Sequence, residues 1–131
     1  MKRIFIVATT VLALMSCHEN LEDRCVREAK EYTEKYCPTP VVNSTRTDSV
    51  TFDKATKTYQ YFCSFVDELD NPEIVKRNSQ KLHSLLIKEI KDNTSIKKLK
   101  EANYNFAYII HSSKNPNKVL YQQTIRVKDY Q

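Results

Sequence analysis

No glycine occurs anywhere in the 131 residues of this chain, where ordinary usage would supply about nine. Glycine is the residue that enters the left-handed backbone region without a steric penalty. Tight turns that need a positive φ must therefore fall to Asn or Asp, whose short polar side chains tolerate it best. Loops that cradle a phosphate or a dinucleotide need glycine for close backbone approach, and here none can form in the usual way. Asn, Lys, Ile and Tyr are abundant instead, a trend that a base-composition bias in the source genome would produce equally well. The absence weighs against nucleotide-dependent enzymes and sets the vocabulary of turns.

The start of the chain has a different texture from the rest. Lys2 and Arg3 precede an apolar run from Ile4 to Leu14, and Leu14-Met15-Ser16-Cys17 closes it. A basic start, an apolar middle and a small residue before a cut make a secretory signal. The closing four residues resemble the lipobox of bacterial lipoproteins. That resemblance implies a diacylglyceryl group on the Cys17 thiol, cleavage after Ser16, and further acylation (palmitate or a similar chain) at the new amino terminus. As a helix the apolar run rises only ~16 Å, about half of a hydrocarbon core, so it is too short for a spanning anchor. A plain secretory signal cut elsewhere is the rival, but Leu14 and Met15 are too large for a small-x-small cleavage site. Stable anchoring takes about two acyl chains, which a fully acylated Cys17 would supply. The expected organisation is a signal over 1–16, a lipidated tether over 17–21 and one domain over 22–131. The expected location is the bacterial cell envelope, periplasmic or at the cell surface, with the membrane as one partner. Glu19, Glu22 and Asp23 make the tether acidic, which resembles the patch some Gram-negative bacteria use to send lipoproteins to the surface.

The charge balance of 21 Lys and Arg against 16 Asp and Glu falls to a formal excess of three once Lys2 and Arg3 are removed. That is too mild and scattered for nucleic acid. It suits solubility near an anionic membrane, with Lys97, Lys98 and Lys100 as a local cluster that also reads as a solvated helix face. His18, His83 and His111 have no partners at catalytic or metal-ligand spacing, so no metal, cofactor or catalytic residue is expected.

Leu21, Cys25, Ala29, Tyr32 and Tyr36, with Val26, recur at helical spacing until Pro38 and Pro40 end the helix. From about Asn43 to Val66 the texture turns to Thr, Val, Phe and Tyr. Val50 and Phe52 alternate with polar neighbours, as do Tyr59, Tyr61, Cys63 and Phe65, and Asp53 to Lys57 makes the turn. Asp70-Asn71-Pro72-Glu73 opens a second helix. Its apolar stripe of Val75, Leu82, Leu86 and Ile90 runs to Asp92-Asn93-Thr94, and a short turn with Ile96 and Leu99 ends at Asn103. Tyr104, Phe106, Tyr108 and Ile110 then share one face of a third strand, and Val119, Tyr121, Ile125 and Val127 one face of a fourth. Ser112 to Lys118 joins them, with Asn115 and Asn117 available for left-handed positions. The segment Leu99-Lys100-Glu101-Ala102-Asn103-Tyr104 through Asp129-Tyr130 loosely resembles the end of small uncharacterised envelope lipoproteins.

The order α-β-β-α-β-β predicts an α+β domain: a single antiparallel four-stranded sheet with two helices on one face. Of Cys25, Cys37 and Cys63, one pair can close outside the cytoplasm. Cys25 and Cys37 would lie ~18 Å apart along one helix, beyond disulfide reach. The expected bridge is Cys37–Cys63, worth about 3 kcal/mol by loop closure. The far side of the sheet would carry Phe62, Ala107, Ile109, Leu120, Gln122, Thr124 and Arg126. Apolar groups mixed with amides and an arginine suit a protein-binding surface, so Phe62, Ile109, Leu120 and Arg126 are the candidate contact residues. Asp48-Ser49-Val50 also fits a short bacterial O-glycosylation pattern. The expected function is that of a lipid-anchored, non-catalytic binding module for a protein or envelope component. An inhibitor or protector acting on a secreted enzyme through the Lys114–Lys118 loop is the alternative.

Overall fold

The computed structural model describes residues 19–131; the expected signal over 1–16, Cys17 and His18 lie outside them. The first helix, α1 (Leu21–Tyr36), is capped by the Asn20 side chain, which accepts from the Asp23 N–H. Two strands follow, β1 (Thr45–Asp53) and β2 (Thr58–Phe65). Three helices come next: α2 (Pro72–Arg77), α3 (Ser79–Asp92) and α4 (Lys97–Glu101). The chain then adds β3 (Asn105–Ser112), β4 (Val119–Ile125) and a closing turn of helix, α5 (Val127–Tyr130).

The four strands form one sheet in the order β1-β2-β3-β4. The outer pairs are antiparallel hairpins, but the central pair, β2 with β3, runs parallel from Thr58↔Asn105 to Phe65↔Ser112. This corrects the all-antiparallel sheet expected from the sequence. Parallel neighbours need a crossover, and the segment 66–104 provides it. The fourteen residues of α3 rise about 21 Å, and the eight of β2 span about 26 Å. One helix therefore returns the chain to the starting end of β2.

All the strands turn the same alternating set inward, as their period of two requires. Phe52, Tyr59, Phe106 and Ile125 form one row in register across the sheet. On that face α3 buries Leu86 and Ile90 against Phe106, Tyr108 and Ile125, and α1 buries Cys25 against Phe52 and Tyr104. Both helices therefore lie on one face.

Three local departures have identifiable causes. The second helix breaks at Asn78, whose side-chain amide donates to the Ile74 carbonyl; Asn competes with the helix for such groups. Val127 does not extend β4, because Arg126 is followed by α5 and its N–H donates to the Asp129 carboxylate. Tyr130 on that turn packs edge-on against Phe106 at 5.8 Å and donates to the Tyr104 carbonyl. In the β3–β4 loop neither Asn115 nor Asn117 is left-handed. Lys118 N–H bonds to the Asn115 carbonyl around Pro116, and a turn with proline in its second position needs no positive φ.

Left-handed residues do occur at Asn43, Ser44, Lys57, Asp67 and Asn103. Asn103 ends α4: its N–H bonds to the Lys100 carbonyl and that of Tyr104 to the Leu99 carbonyl. That is the paired closure usually built on glycine.

The outward edge of β1 is held at three positions, Thr45, Thr47 and Val50. Thr45 exchanges both backbone bonds with Val42. Thr47 donates to the Thr39 hydroxyl and accepts from the Thr39 N–H. Val50 gives its N–H to, and takes a bond from, the Thr33 hydroxyl of α1, each at 2.9 Å. Replacing Thr33 by valine keeps the shape and strands both Val50 groups. Urea unfolding should show a loss of about 1–3 kcal/mol, against little change for Thr51→Val on the exposed face.

Candidate functional site

A groove of about 520 Å³ opens between α1 and the α3–α4 region. Its floor is the inner face of the central strands, with Tyr59, Tyr61 and Tyr108. Leu21, Arg24, Cys25, Glu28 and Tyr32 of α1 form one wall, and Glu89, Asn93, Ser95, Ile96, Lys98 and Leu99 the other. The parallel register places Tyr61 beside Tyr108. Their rings stack at 4.9 Å, and Tyr59 follows at 5.4 Å from Tyr61.

The hydroxyls of these three tyrosines have no hydrogen-bond partner among the described residues. Burial pushes Tyr59 up to about 12, and raises Tyr61 and Tyr108 further, so all three stay neutral. Neutral phenols on an apolar ladder can donate to and accept from a ligand while their rings supply contact area. On the rims Arg24 pairs with Glu28 at 2.8 Å, whereas Glu89 and Lys98 have no ion-pair partner among the described residues. Cys25 faces the groove with its thiol raised by burial to about 11.

The anticipated Cys37–Cys63 disulfide is absent, and Cys25, Cys37 and Cys63 are free thiols. The stretch after Cys37 runs along the outer edge of β1, held by the Thr39–Thr47 bonds. Thr47 in turn lies opposite Cys63. The strand β1 therefore stands between β2 and the stretch that follows Cys37.

The proposed far-side surface is only partly assembled. Phe62 and Ile109 are register partners, both half-exposed on that face. Leu120 leaves it: a bulge between Ile110 and His111 shifts the β3–β4 register, and Leu120 packs against the cluster of Cys63, Phe65, Val75 and Ile110. Arg126 lies beyond β4, as the residue that starts α5. A second bulge, between Thr47 and Ser49, turns Asp48 toward Ser64, whose hydroxyl donates to it, and toward Arg46 at 2.7 Å. His111 follows Ser64 in register, and its buried Nδ1 has no hydrogen-bond partner among the described residues. His83 is exposed on α3. Periodicity assigns these tyrosines to the core, which holds for Tyr108; Tyr59 and Tyr61 stay half-buried, because the spacing of the two helices leaves the groove floor partly open.

The Lys114–Lys118 loop is exposed and pinned at its base. Asp70 accepts from the Ser113 hydroxyl and from the Lys114 N–H, each at 2.9 Å. Bonds from Ser112, the Lys114 N–H and Ser113 hold its carboxyl below the ordinary range.

A model of the family described as Domain of unknown function (DUF8479) matches residues 20–121. No curated protein matches the sequence. In fold the chain is similar to a Pseudomonas aeruginosa protein described as secreted, with TM-score 0.71 and 13% identity over 87% of this chain and 100% of that one. It is also similar to EpsS, the type 2 secretion system pilotin of Vibrio vulnificus, with TM-score 0.64 and 11% identity over 85% and 92%. The type II secretion system pilotin AspS of Vibrio cholerae gives TM-score 0.59 and 10% identity over 89% and 98%. The likeness is one of fold.

Two outcomes follow. Among the described cysteines alkylation should modify Cys37 first: burial raises all three thiols, but Cys37 is the least buried, while Cys25 and Cys63 are buried and pushed up to about 11, so they lag. Mass mapping against time reads the order. A lowered Asp70 pKa means the loop anchor is complete at neutral pH and lost as pH falls through that value. The Lys114 amide should therefore stay protected from exchange until below about pH 4, and should lose protection at neutral pH in Asp70→Ala.

Proposed function

This chain belongs to the DUF8479 family of domains of unknown function, and from that premise we propose that it is a lipid-anchored, non-catalytic module that binds a protein partner in the bacterial cell envelope. Lipid on Cys17 supplies the membrane attachment, and the domain from Asn20 onward supplies the binding surface. The observation that carries the reading is the tyrosine-floored groove. Its aromatic ladder, unpaired hydroxyls and charged rims have the composition of a protein contact surface: apolar centre, polar edge, tyrosine enriched. The fold likeness to two secretion-system pilotins agrees with an envelope role.

The groove is poorly equipped for catalysis. Its one thiol is held protonated by burial, and neither His83 nor His111 lines it. The far-side pair Phe62 and Ile109 is the second contact surface, favoured by its half-exposed apolar register. The inhibitor reading keeps the Lys114–Lys118 loop, which Asp70 holds out as an exposed, braced projection.

A photocrosslinking side chain placed in the full chain at Lys98 on the groove rim, at Phe62, or at Asn117 on the loop separates these surfaces. We expect an adduct of one discrete mass from Lys98 in native envelopes; adducts only from Asn117 would support inhibition, and only from Phe62 the far face. In the same cells a clickable fatty acid should label the wild type and not Cys17→Ala, which should leave the membrane fraction. Unchanged labelling of Cys17→Ala would contradict the anchor.

A further inference from the structure

The two edges of the sheet are treated differently. The outward groups of β1 are engaged at Thr45, Thr47 and Val50 by Val42, Thr39 and Thr33. Those of β4 are not. The bond from Ser112 N–H to the Lys118 carbonyl fixes the phase of the β3–β4 ladder. With Tyr121, Gln123 and Ile125 bonded inward opposite Ile110, Tyr108 and Phe106, alternation turns the N–H and C=O of Gln122 and Thr124 away from β3. No backbone bond from the described residues reaches either on that side.

Natural sheets blunt an open edge with lysine, proline or inward-pointing charge. The strand from Val119 to Ile125 reads Val-Leu-Tyr-Gln-Gln-Thr-Ile and has none of these. Beside it, a hollow of about 280 Å³ opens between Ser79, Gln80 and His83 of α3 and Tyr121. Side chains of an added strand that point toward the helices would enter there. The exposed charges sit at the two ends of the strand instead: Lys114 and Lys118 before it, Arg126 and Lys128 after it, with the half-buried Asp129 carboxylate at the latter end already taken up by the Arg126 N–H. None has an ion-pair partner among the described residues.

This arrangement selects the occupant. A second copy pairing antiparallel with full overlap would centre on Gln122 and set Lys118 against Arg126 of the other copy at both ends, a like-charge contact that opposes pairing. We propose that the free edge of β4 binds an extended segment of another protein by strand addition, the segment having an uncharged alternating centre and acidic residues at both ends. Backbone bonds to Gln122 and Thr124 supply affinity, and the terminal cations supply selectivity. This surface is separate from the groove and does not depend on it.

The probe is a labelled peptide with a Thr-Val-Thr-Ile-Thr centre and paired Asp at each end, added to the full chain in detergent micelles. Anisotropy should show saturable binding, and hydrogen exchange should slow at β4 but not along α1. Thr124→Pro removes the outward N–H at an edge position where proline is tolerated. It should bind about tenfold more weakly, as expected for the loss of about one backbone hydrogen bond. A Lys-ended peptide should bind only to the charge-swapped Lys118→Glu, Arg126→Glu chain, which serves also as the reading if Thr124→Pro does not fold. Equal binding of Asp-ended and Lys-ended peptides, protection along α1 in place of β4, no binding of the acidic peptide, or a wild-type dimer held through β4 would each overturn the proposal.

Discussion

The parallel pairing of β2 with β3 is the constraint on which the rest of the molecule depends. Two neighbouring strands that point the same way cannot be joined by a turn. The chain must travel back along the sheet, and the cheapest vehicle is a helix of about strand length, which α3 is. Once α3 lies over β3 and β4 on the inner face, α1 is left to cover β1 and the near side of β2. The two helices do not meet over the centre. The stacked Tyr61 and Tyr108, one from each parallel strand, form the floor of the gap. The groove is thus a product of topology, and its aromatic character comes from the register that sets those rings side by side.

Much of this was legible in the residues, and the limits of legibility are physical. Inward and outward positions follow from a period of two, so Phe52, Tyr59, Phe106 and Ile125 could be placed on one face without knowing strand direction. Helix ends follow from local chemistry, as at Asn71-Pro72 and at Asn103, because a cap is decided within a few residues. Strand direction is not local. Alternation reads the same in both senses, so the crossover through 66–104 was open to misreading. The bulges at Asp48 and Leu120 each add one residue to a strand, and alternation carried past them assigns the next side chain to the wrong face; Leu120 was misplaced in this way. Arg126 failed for a related reason, since Ile125-Arg126-Val127 continues the alternating pattern while Asp129 captures the Arg126 N–H and starts a helix. The expected disulfide assumed a direct approach of Cys37 to β2. The stretch after Cys37 instead runs along the outer edge of β1, and both cysteines are free thiols.

The missing glycines reappear in this light as a set of substitutions. Asn and Asp take three of the five left-handed positions, as their tolerance of that region predicts, and Ser44 and Lys57 take the others. The Pro116 turn avoids the need altogether. Glycine absence therefore leaves the fold intact. The described residues present a groove with neutral phenols, a half-exposed Phe62–Ile109 pair, and a sheet whose β1 edge is bonded at three positions while β4 is open at Gln122 and Thr124.

That asymmetry of edges is the most direct measure of whether the sheet is built as described. Residue-resolved amide hydrogen exchange on the isolated chain would test it. The account predicts that the Thr47 and Val50 amides, held by Thr39 and Thr33, are protected nearly as well as those of β2. It predicts equally that the Gln122 and Thr124 amides exchange rapidly. Slow exchange at Gln122 and Thr124 in the monomer, or free exchange at Val50, would contradict it.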